Sequence, residues 1–158
     1  MRTLTNDLAL LSEFSEAEIG KLQAITETRQ YSPGEVILKQ GLPADAVYVL
    51  LDGVVRVTAI MSEEDETVGQ DEEVLVRLKP GEFFGELSFI TGTPPSLSVI
   101  AEEPSQVVAM PQAKLHALIG VDAAICRKLL FAITRTLVAR LRDTGRELVL
   151  TRYFIRGH

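Results

Sequence analysis

The sequence predicts an α+β fold in which an antiparallel barrel or sandwich of short strands lies between helical ends. Two observations carry this prediction. Short β-branched runs separated by turn residues fill the middle of the chain, and helical spacing of apolar residues dominates from residue 113 onward. Because 158 residues suffice to bury one continuous core, we expect a single domain over 1–158. It divides into an N-terminal helical part (1–30), a β region (31–112) and C-terminal helices (113–158).

The first predicted element is a short helix near the N-terminus. Two serines are candidates for the helix start, Ser12 and Ser15, and Glu18 stands three residues after Ser15 at the spacing of a capping box. Ile19, Leu22 and Ile25 then recur on one face at helical spacing. We therefore expect an amphipathic helix that starts at Ser12 or Ser15.

The middle of the chain is predicted to form antiparallel strands. Asp52-Gly53 joins two β-branched runs in AVYVLLDGVVRVTAI, which is a strong signal of a two-residue hairpin. VLVRL gives a further strand before a turn at Pro80-Gly81, and LSVIAEEPSQVVAM gives two more strands, interrupted by Pro104. Strands at such short intervals indicate a barrel or sandwich.

The C-terminal part is predicted to be helical. AKLHALIG forms a short helix closed by Gly120, and a long helix follows from about Asp122 toward Phe154. Alternating steps of four and three along this helix form a heptad seam, which indicates a homodimer. The seam consists of Leu130, Thr134, Leu137, Leu141, Thr144, Leu148, Thr151 and Ile155. A second stripe should bury against the helix's own domain: Ile125, Leu129 and Ile133. The alternative is a single wide stripe that faces the core.

Charge and cysteine content narrow the function classes. The stretch from Glu63 to Glu73 holds seven of the 22 acidic residues and no basic one, which predicts a hairpin loop without a binding role. The formal net charge of −6 argues against nucleic acid as a partner. The lone Cys126 excludes an intramolecular disulfide and a cysteine-ligated structural metal site. No apolar run approaches the roughly 20 residues of a membrane span, so we expect a cytoplasmic protein without membrane association.

Three segments of the chain carry a family resemblance: SPGEVILKQG, VYVLLDGVVRV and KPGEFFGELSFITGTPPSLSV. In their order and spacing, they are together similar to the cyclic nucleotide-binding domain of the catabolite-activator and protein kinase A regulatory-subunit superfamily. The resemblance runs from about Leu10 to Leu150. It implies a β-roll, a double-stranded jelly-roll-like barrel, in which the segment from Phe84 forms a short phosphate-binding helix.

The resemblance also implies a site for cAMP, cGMP or a related small anionic ligand. Backbone N–H groups at a helix start, with Gly85 permitting close approach, form an anion site. In the family, the glutamate that matches Glu86 accepts a hydrogen bond from the ribose 2′-hydroxyl, and a threonine near Thr144 contacts the purine. Their alternative roles are charge–dipole stabilisation for Glu86 and a polar coiled-coil position for Thr144. The ligand-binding residues expected are Phe84, Gly85, Glu86, Leu87, Ser88, Pro95, Ser96, Leu97 and Thr144.

The chain departs from the family pattern within this segment. Where the family has the arginine that pairs with the cyclic phosphate, this chain has Pro95, which provides neither a charge nor a backbone N–H. Ser96 can still donate from its hydroxyl and its amide. Because a charge-assisted hydrogen bond contributes about 1.5–3 kcal/mol, we expect phosphate binding roughly ten- to a hundredfold weaker. An arginine of the long helix, Arg140, Arg142 or Arg146, is a candidate replacement.

The residue types weigh against catalysis. The only histidines are His116, in a predicted helix, and His158, so neither a cupin-type metal site nor a serine–histidine–acid arrangement is indicated. His116 and Cys126 are also poor axial ligands for haem. Catabolite activators normally continue into a helix-turn-helix, whereas this chain ends at TRYFIRGH, so we expect no DNA binding by this chain alone. The chain is therefore expected to be no enzyme, and to hold no metal and no cofactor besides a nucleotide ligand.

Two functions remain. One is a ligand-sensing regulatory module whose long helix reports occupancy to a protein partner. The other is a ligand-free dimerisation or interaction module that has kept the fold. The intact FGEL favours the sensor, and Pro95 favours the second function. The sensor is the prediction, because Gly85, Glu86 and Ser96 occur together.

Overall fold

The computed structural model describes residues 3–60 and 72–156. Two antiparallel four-stranded sheets follow a short helical segment and precede two C-terminal helices. The predicted α+β class and β-roll architecture are confirmed. The predicted acidic loop, from Glu63 as far as Asp71, lies outside the described residues.

The N-terminal segment consists of a 3-10 turn (Ala9–Leu11) and helix α1 (Glu16–Ile25). Helix α1 begins with the predicted capping box. Ser15 Oγ accepts from the Glu18 backbone N–H, and Glu18 Oε2 accepts from the Ser15 backbone N–H. Each contact satisfies a backbone donor that the helix itself cannot pair, which fixes where α1 starts.

The eight strands form two sheets with orders β1-β8-β3-β6 and β2-β7-β4-β5. All of the described pairs are antiparallel. The strands are β1 (Glu27–Tyr31), β2 (Val36–Leu38), β3 (Ala46–Asp52), β4 (Val55–Ile60), β5 (Glu72–Leu78), β6 (Phe83–Phe84), β7 (Ser98–Ala101) and β8 (Ser105–Pro111).

Strand β3 lies in the middle of the molecule and is buried on both faces. Its residues Val47 and Val49 pack in a core beneath the helices, whereas Tyr48 and Leu50 pack in a second core between the two sheets. Successive side chains of a strand point to opposite faces, so one sheet can serve two cores. This arrangement explains why the strand reads as a continuous apolar run rather than an alternating one.

The hairpin predicted at Asp52-Gly53 is wrong. Strand β3 pairs with β8 and β6, whereas β4 pairs with β7 and β5, so this turn carries the chain from one sheet to the other. Gly53 has a φ of 89°, and a Cβ placed there would lie 2.5 Å from the Pro104 carbonyl oxygen. A hairpin and a tight corner between sheets both need glycine at positive φ, so the dipeptide alone does not separate them.

The C-terminal helices are α3 (Gln112–Val121) and α4 (Ala123–Arg156). Asp122 separates them, and its Oδ1 accepts from the Ile125 backbone N–H at 3.1 Å in the manner of an N-cap. The predicted core-facing stripe is confirmed, because three residues of α4 are fully buried beneath the first sheet: Ile125, Leu129 and Ile133.

Ion pairs link the N-terminal segment to the first half of α4 and to Asp122, which precedes the helix. Three such pairs have nitrogen–oxygen distances of 2.6 Å: Lys21–Asp122, Lys128–Glu18 and Arg135–Glu13. From Leu141 to Ile155, every side chain whose exposure is described is exposed. The structure therefore divides α4 into a docked half and a projecting half.

The exposed apolar stripe of α4 differs from the predicted seam. Leu137 is half-buried against the chain's own core, whereas the neighbouring Val138 is exposed. The other seven residues of the predicted seam are exposed: Leu130, Thr134, Leu141, Thr144, Leu148, Thr151 and Ile155. Phe131 and Val138 lie beside them and are exposed as well. The predicted seam is therefore wrong at Leu137, which the domain core takes, and its use in a homodimer stays a prediction.

Candidate functional site

The candidate site surrounds the turn between β6 and helix α2 (Glu86–Thr91), within a segment from Phe83 to Leu97 that is called the cassette below. Gly85 caps α2 with a φ of 80°. A Cβ at this position would lie 2.9 Å from the Ala46 carbonyl oxygen. Both the positive φ and the close approach of this carbonyl require glycine at position 85, whereas the predicted approach of an anion to Gly85 stays a prediction.

Helix α2 has six residues and ends at Gly92, whose φ is 69°. The Phe89 N–H donates back to the Gly85 carbonyl at 3.4 Å, which is the first helical hydrogen bond. The amides of residues 86–88 therefore have no acceptor within the helix. Only a few peptide dipoles add up over so short a helix, so these N–H groups, rather than a macrodipole, would have to hold an anion.

Glu86 is the one ionisable residue of the cassette, and only 4 % of its side chain is exposed. Its Oε1 accepts a hydrogen bond from Arg140 Nη1 at 3.0 Å, so the contact joins the cassette to helix α4. Arg140 Nη2 donates to the Phe83 carbonyl oxygen at 2.5 Å, and the guanidinium lies 5.5 Å from the centre of the Phe83 ring. Arg140 thus contacts both sides of the turn at Gly85.

Two opposing effects act on the Glu86 carboxyl. Burial raises its pKa above the ordinary value, and the charge of Arg140 and a hydrogen bond from the backbone N–H of Glu86 oppose that rise only in part. Burial disfavours the charged form because a buried carboxylate loses its water contacts. Any further donor, such as a ligand hydroxyl, would stabilise the ionised form.

The far side of the cassette is the loop before β7, and the β2–β3 loop holds it in place. The Gly41 N–H donates to the Pro95 carbonyl oxygen at 2.9 Å. The Gln40 N–H donates to Ser98 Oγ at 3.0 Å. Backbone contacts on both sides of the loop therefore fix its path, and Pro95 lies half-buried within it.

The predicted site residues fall into two groups by burial. Phe84 and Ser88 are buried, and Leu97 packs against the core between the sheets. Leu87 and Ser96 are exposed, which leaves the Ser96 hydroxyl open to a ligand. The cassette therefore has Ser96 exposed to its surroundings, while its buried aromatic side chains anchor it.

Thr144 lies on the projecting half of α4 and is exposed. It stands four residues after Arg140, so the two residues share one face of the helix at a separation of about 6 Å along its axis. The proposed contact of Thr144 with a purine stays a prediction.

A polar network that the sequence patterns did not predict lies beneath the cassette. Tyr48 stacks on Phe84 with ring centres 5.1 Å apart, and its hydroxyl donates to Asp45 Oδ1 at 2.5 Å. Arg29 donates from Nη1 to the Tyr48 hydroxyl at 3.2 Å and from Nη2 to Asp45 at 2.9 Å. Burial and the nearby Asp45 raise the pKa of Tyr48 well above its ordinary range. Asp45 and Tyr48 are close in sequence, but no local pattern points to Arg29.

The described residues hold no group of three potential metal-ligating side chains. Among the helices in residues 3–60 and 72–156, none is long and apolar enough to cross a bilayer.

Comparison with known proteins identifies the family. Residues 28–122 match the model of the cyclic nucleotide-binding domain. A cAMP-dependent protein kinase regulatory subunit of Colletotrichum orbiculare is 28 % identical over 122 residues, which are 77 % of this chain and 29 % of that protein. The chain thus spans less than a third of that relative.

Two solved structures show the same fold. The catabolite activator protein of Thermus thermophilus has a TM-score of 0.72 at 27 % identity, over 90 % of this chain and 62 % of that one. A cyclic nucleotide-binding domain from Methylobacillus flagellatus has a TM-score of 0.79 at 23 % identity, over 92 % and 79 % of the two chains. The family match includes β1 through α3 and the whole cassette. This chain therefore belongs to the cyclic nucleotide-binding domain family.

Proposed function

We propose that this chain is a regulatory sensor that binds cAMP, cGMP or a related small anionic ligand at the cassette, and reports occupancy through helix α4. The observation that carries the proposal is the contact between Glu86 and Arg140, because it joins the carboxylate expected to bind the ligand to the helix that projects from the domain. Similarity to a cAMP-dependent protein kinase regulatory subunit supports a regulatory role rather than catalysis.

The ligand contacts follow from the donors and acceptors of the cassette. The first amides of α2 and the Ser96 hydroxyl would donate to the phosphate, and Glu86 would accept from a ribose hydroxyl. The segment from Phe83 to Leu97 contains no lysine or arginine. With Pro95 in place of arginine, the phosphate lacks one charge-assisted hydrogen bond, which weakens binding roughly ten- to a hundredfold.

Competition for Glu86 would transmit the signal. A ribose hydroxyl that donates to this carboxylate takes an acceptor that Arg140 now uses. Arg140 would then turn from Glu86 to the ligand phosphate and supply the cation that the cassette lacks. Because Arg140 is part of α4, this exchange changes how the helix rests on the cassette.

The exposed stripe of α4 supports a homodimer as the reporting assembly. Phe131, Val138, Leu141 and Leu148 lie on one side of the helix, where a second copy could cover them. A protein partner that recognises the projecting half would receive the signal. We further propose that the sensor works in the cytoplasm, without DNA binding by this chain alone.

A ligand-free interaction module is the second candidate. It is favoured by the same contact, because Arg140 already satisfies Glu86 without a ligand. In that case Pro95 marks a cassette that no longer binds phosphate and serves only to hold α4 on the domain.

Titration with cAMP and with cGMP, followed by calorimetry, separates the two candidates. The sensor predicts saturable heat at micromolar to millimolar nucleotide, lost in Glu86→Ala but retained in Glu103→Ala, which changes an exposed glutamate at the β7–β8 turn. The absence of binding to the wild-type chain and to Pro95→Arg at millimolar nucleotide would leave the interaction module.

A further inference from the structure

The turn that begins helix α2 rests on strand β3. A Cβ placed at Gly85 would lie 2.9 Å from the Ala46 carbonyl oxygen and 3.3 Å from Tyr48 Cδ2, so the backbone here approaches both residues closely. The Tyr48 ring also stacks on the Phe84 ring, with 10° between the two planes. Tyr48 therefore supports both residues that precede α2.

Hydrogen bonds with two partners fix the Tyr48 ring. Its hydroxyl donates to Asp45 Oδ1 and accepts from Arg29 Nη1, and Arg29 Nη2 donates to Asp45 Oδ2. The Arg29 guanidinium also lies 5.7 Å from the centre of the Tyr48 ring. Because each of the three side chains contacts the other two, the loss of one should loosen the others.

The Tyr48 hydroxyl joins the buried turn to an exposed loop. Only 1 % of Tyr48 is exposed, so a hydroxyl that left Asp45 would lose its acceptor in a buried setting, which is destabilising. Asp45 belongs to the β2–β3 loop, and 63 % of its side chain is exposed. The same loop donates from the Gly41 N–H to the Pro95 carbonyl oxygen. The β2–β3 loop is therefore linked to both ends of the cassette, directly at Pro95 and through Tyr48 at the turn.

We propose that Tyr48 is a positioning residue of the cassette. Asp45 and Arg29 hold its hydroxyl, and the ring then holds Phe84 and Gly85 in the turn from which the first amides of α2 project. A phenylalanine ring would fill the same space, so the positioning depends on the hydroxyl and its two partners. The consequence for a ligand rests on the proposed function, whereas the consequence for the turn of the free chain does not.

Tyr48→Phe tests the hydroxyl because it keeps the stacked ring. Amide hydrogen exchange of the full chain without ligand is measured by NMR at Phe89 and Gly92, whose N–H groups donate to the first carbonyls of the α2 segment. We expect exchange at both amides to become about tenfold faster, as the loss of one hydrogen bond to a charged group implies. The control is Ser105→Ala, which removes a buried hydroxyl bonded to backbone carbonyls outside the cassette and should leave both amides unchanged.

A double-mutant cycle tests whether the network acts as a unit. Arg29→Met removes both donors from a side chain of similar length. Exchange at Phe89 in the double variant with Tyr48→Phe should be hardly faster than in Tyr48→Phe alone, because residues of one network are not additive.

Titration with cAMP, followed by calorimetry, adds the ligand measurement. If the wild-type chain binds cAMP, Tyr48→Phe should bind it about tenfold more weakly, and Ser105→Ala should bind it as the wild type does. Unchanged exchange in Tyr48→Phe, an equal rise in Ser105→Ala, additive effects in the cycle, or unchanged affinity in a chain that binds cAMP would each overturn the proposal. A wild-type chain that binds no nucleotide counts against the proposed function alone, because the exchange measurements still decide the role of Tyr48.

Discussion

If the cassette binds a phosphate as proposed, Pro95 should decide how strongly it is held, because Ser96 and the first amides of α2 would remain as donors. If the loop keeps its path in Pro95→Arg, the new guanidinium adds one charge-assisted bond. We expect cAMP to bind about ten- to a hundredfold more tightly, by calorimetry. Glu86→Ala in that background should reverse much of the gain, and the gain should shrink in high salt if the new contact is partly exposed.

One outcome for Pro95→Arg would contradict this prediction. A Pro95→Arg chain that unfolds at the wild-type temperature and still binds no cyclic nucleotide at millimolar concentration would mean that the cassette no longer forms a phosphate site. The backbone bond between Gly41 and Pro95 does not require proline, so arginine at 95 should leave the loop in place.

Gly85 and Gly92 form a matched pair at the two ends of α2. Both have positive φ, but a Cβ at Gly92 would meet nothing within 4 Å, whereas one at Gly85 would lie 2.9 Å from a backbone carbonyl. Gly92→Ala should cost about 1 kcal/mol from the left-handed backbone alone. Gly85→Ala adds the steric overlap and should cost about 2–4 kcal/mol. Urea unfolding checks both values, and equal losses would contradict the steric argument.

Two neighbouring residues of α4 have different expected roles. Leu137 should stabilise the domain, and Val138 should join two copies of the chain. Val138→Asp changes the exposed stripe and should break the homodimer while leaving thermal unfolding of the domain nearly unchanged. Leu137→Asp places a charge against the domain core and should lower the unfolding temperature itself. Light scattering gives the mass, and Val121→Asp, an exposed apolar site at the end of α3, is the control. A wild-type chain that is monomeric at tens of micromolar would refute the dimer.

The helices and turns of this chain show which structural features local sequence patterns can predict and which they cannot. The start of α1 at Ser15, one of two predicted candidates with Ser12, and the buried stripe of α4 follow from local spacing, and the structure has both. The turn at Gly53 and the position of Leu137 depend on which surfaces meet in three dimensions. Gly53 is compatible with a hairpin or with a turn between two sheets. Leu137 is compatible with burial in the domain core or with a position in the dimer seam.

Across the whole molecule, the ion pairs between the N-terminal segment and α4 should make stability depend on pH. The hydrogen bond from Lys128 holds the pKa of Glu18 below its ordinary value of 4.5. A depressed carboxyl pKa stabilises the fold above the unfolded pKa, and this stability is lost as the pH falls through the folded pKa. Glu18→Gln should therefore lower stability at neutral pH, and its difference from wild type should shrink on acidification below about pH 4.5. Unfolding in urea at several pH values measures this. Glu13→Gln, in a more exposed pair, should show a smaller effect.

The contribution of Glu86 to stability should change with pH in the opposite direction to that of Glu18. Burial raises the pKa of its carboxyl, so its contribution favours the fold at low pH and is lost as the pH rises through the folded pKa. The stability of Glu86→Gln relative to wild type should therefore improve from acid toward neutral pH. A difference that stays flat over this range would show that Arg140 fully offsets the burial of the carboxylate.

The family and the cassette could be read from the chain because their signals are local. One short segment of the sequence contains Gly85, Glu86 and Pro95. A turn at a glycine can be predicted from the sequence without a structure. Arg140 was only one of three candidates, since the rotation of α4 selects which arginine faces the cassette. Arg29 gave no signal, because its partners Asp45 and Tyr48 meet it only through the pairing of β1 and β3 with β8.

The division of α4 has a mechanical consequence. The helix is held as far as Arg140, and from Leu141 to Arg156 it extends about 24 Å at a rise of 1.5 Å per residue. A rigid arm of that length magnifies motion at its base. A tilt of about 10° at Arg140 would carry the tip roughly 4 Å sideways, on the order of the spacing between neighbouring strands. If an exchange of one hydrogen-bond partner at Glu86 tilts the helix by that angle, a distant surface moves by the width of a side chain.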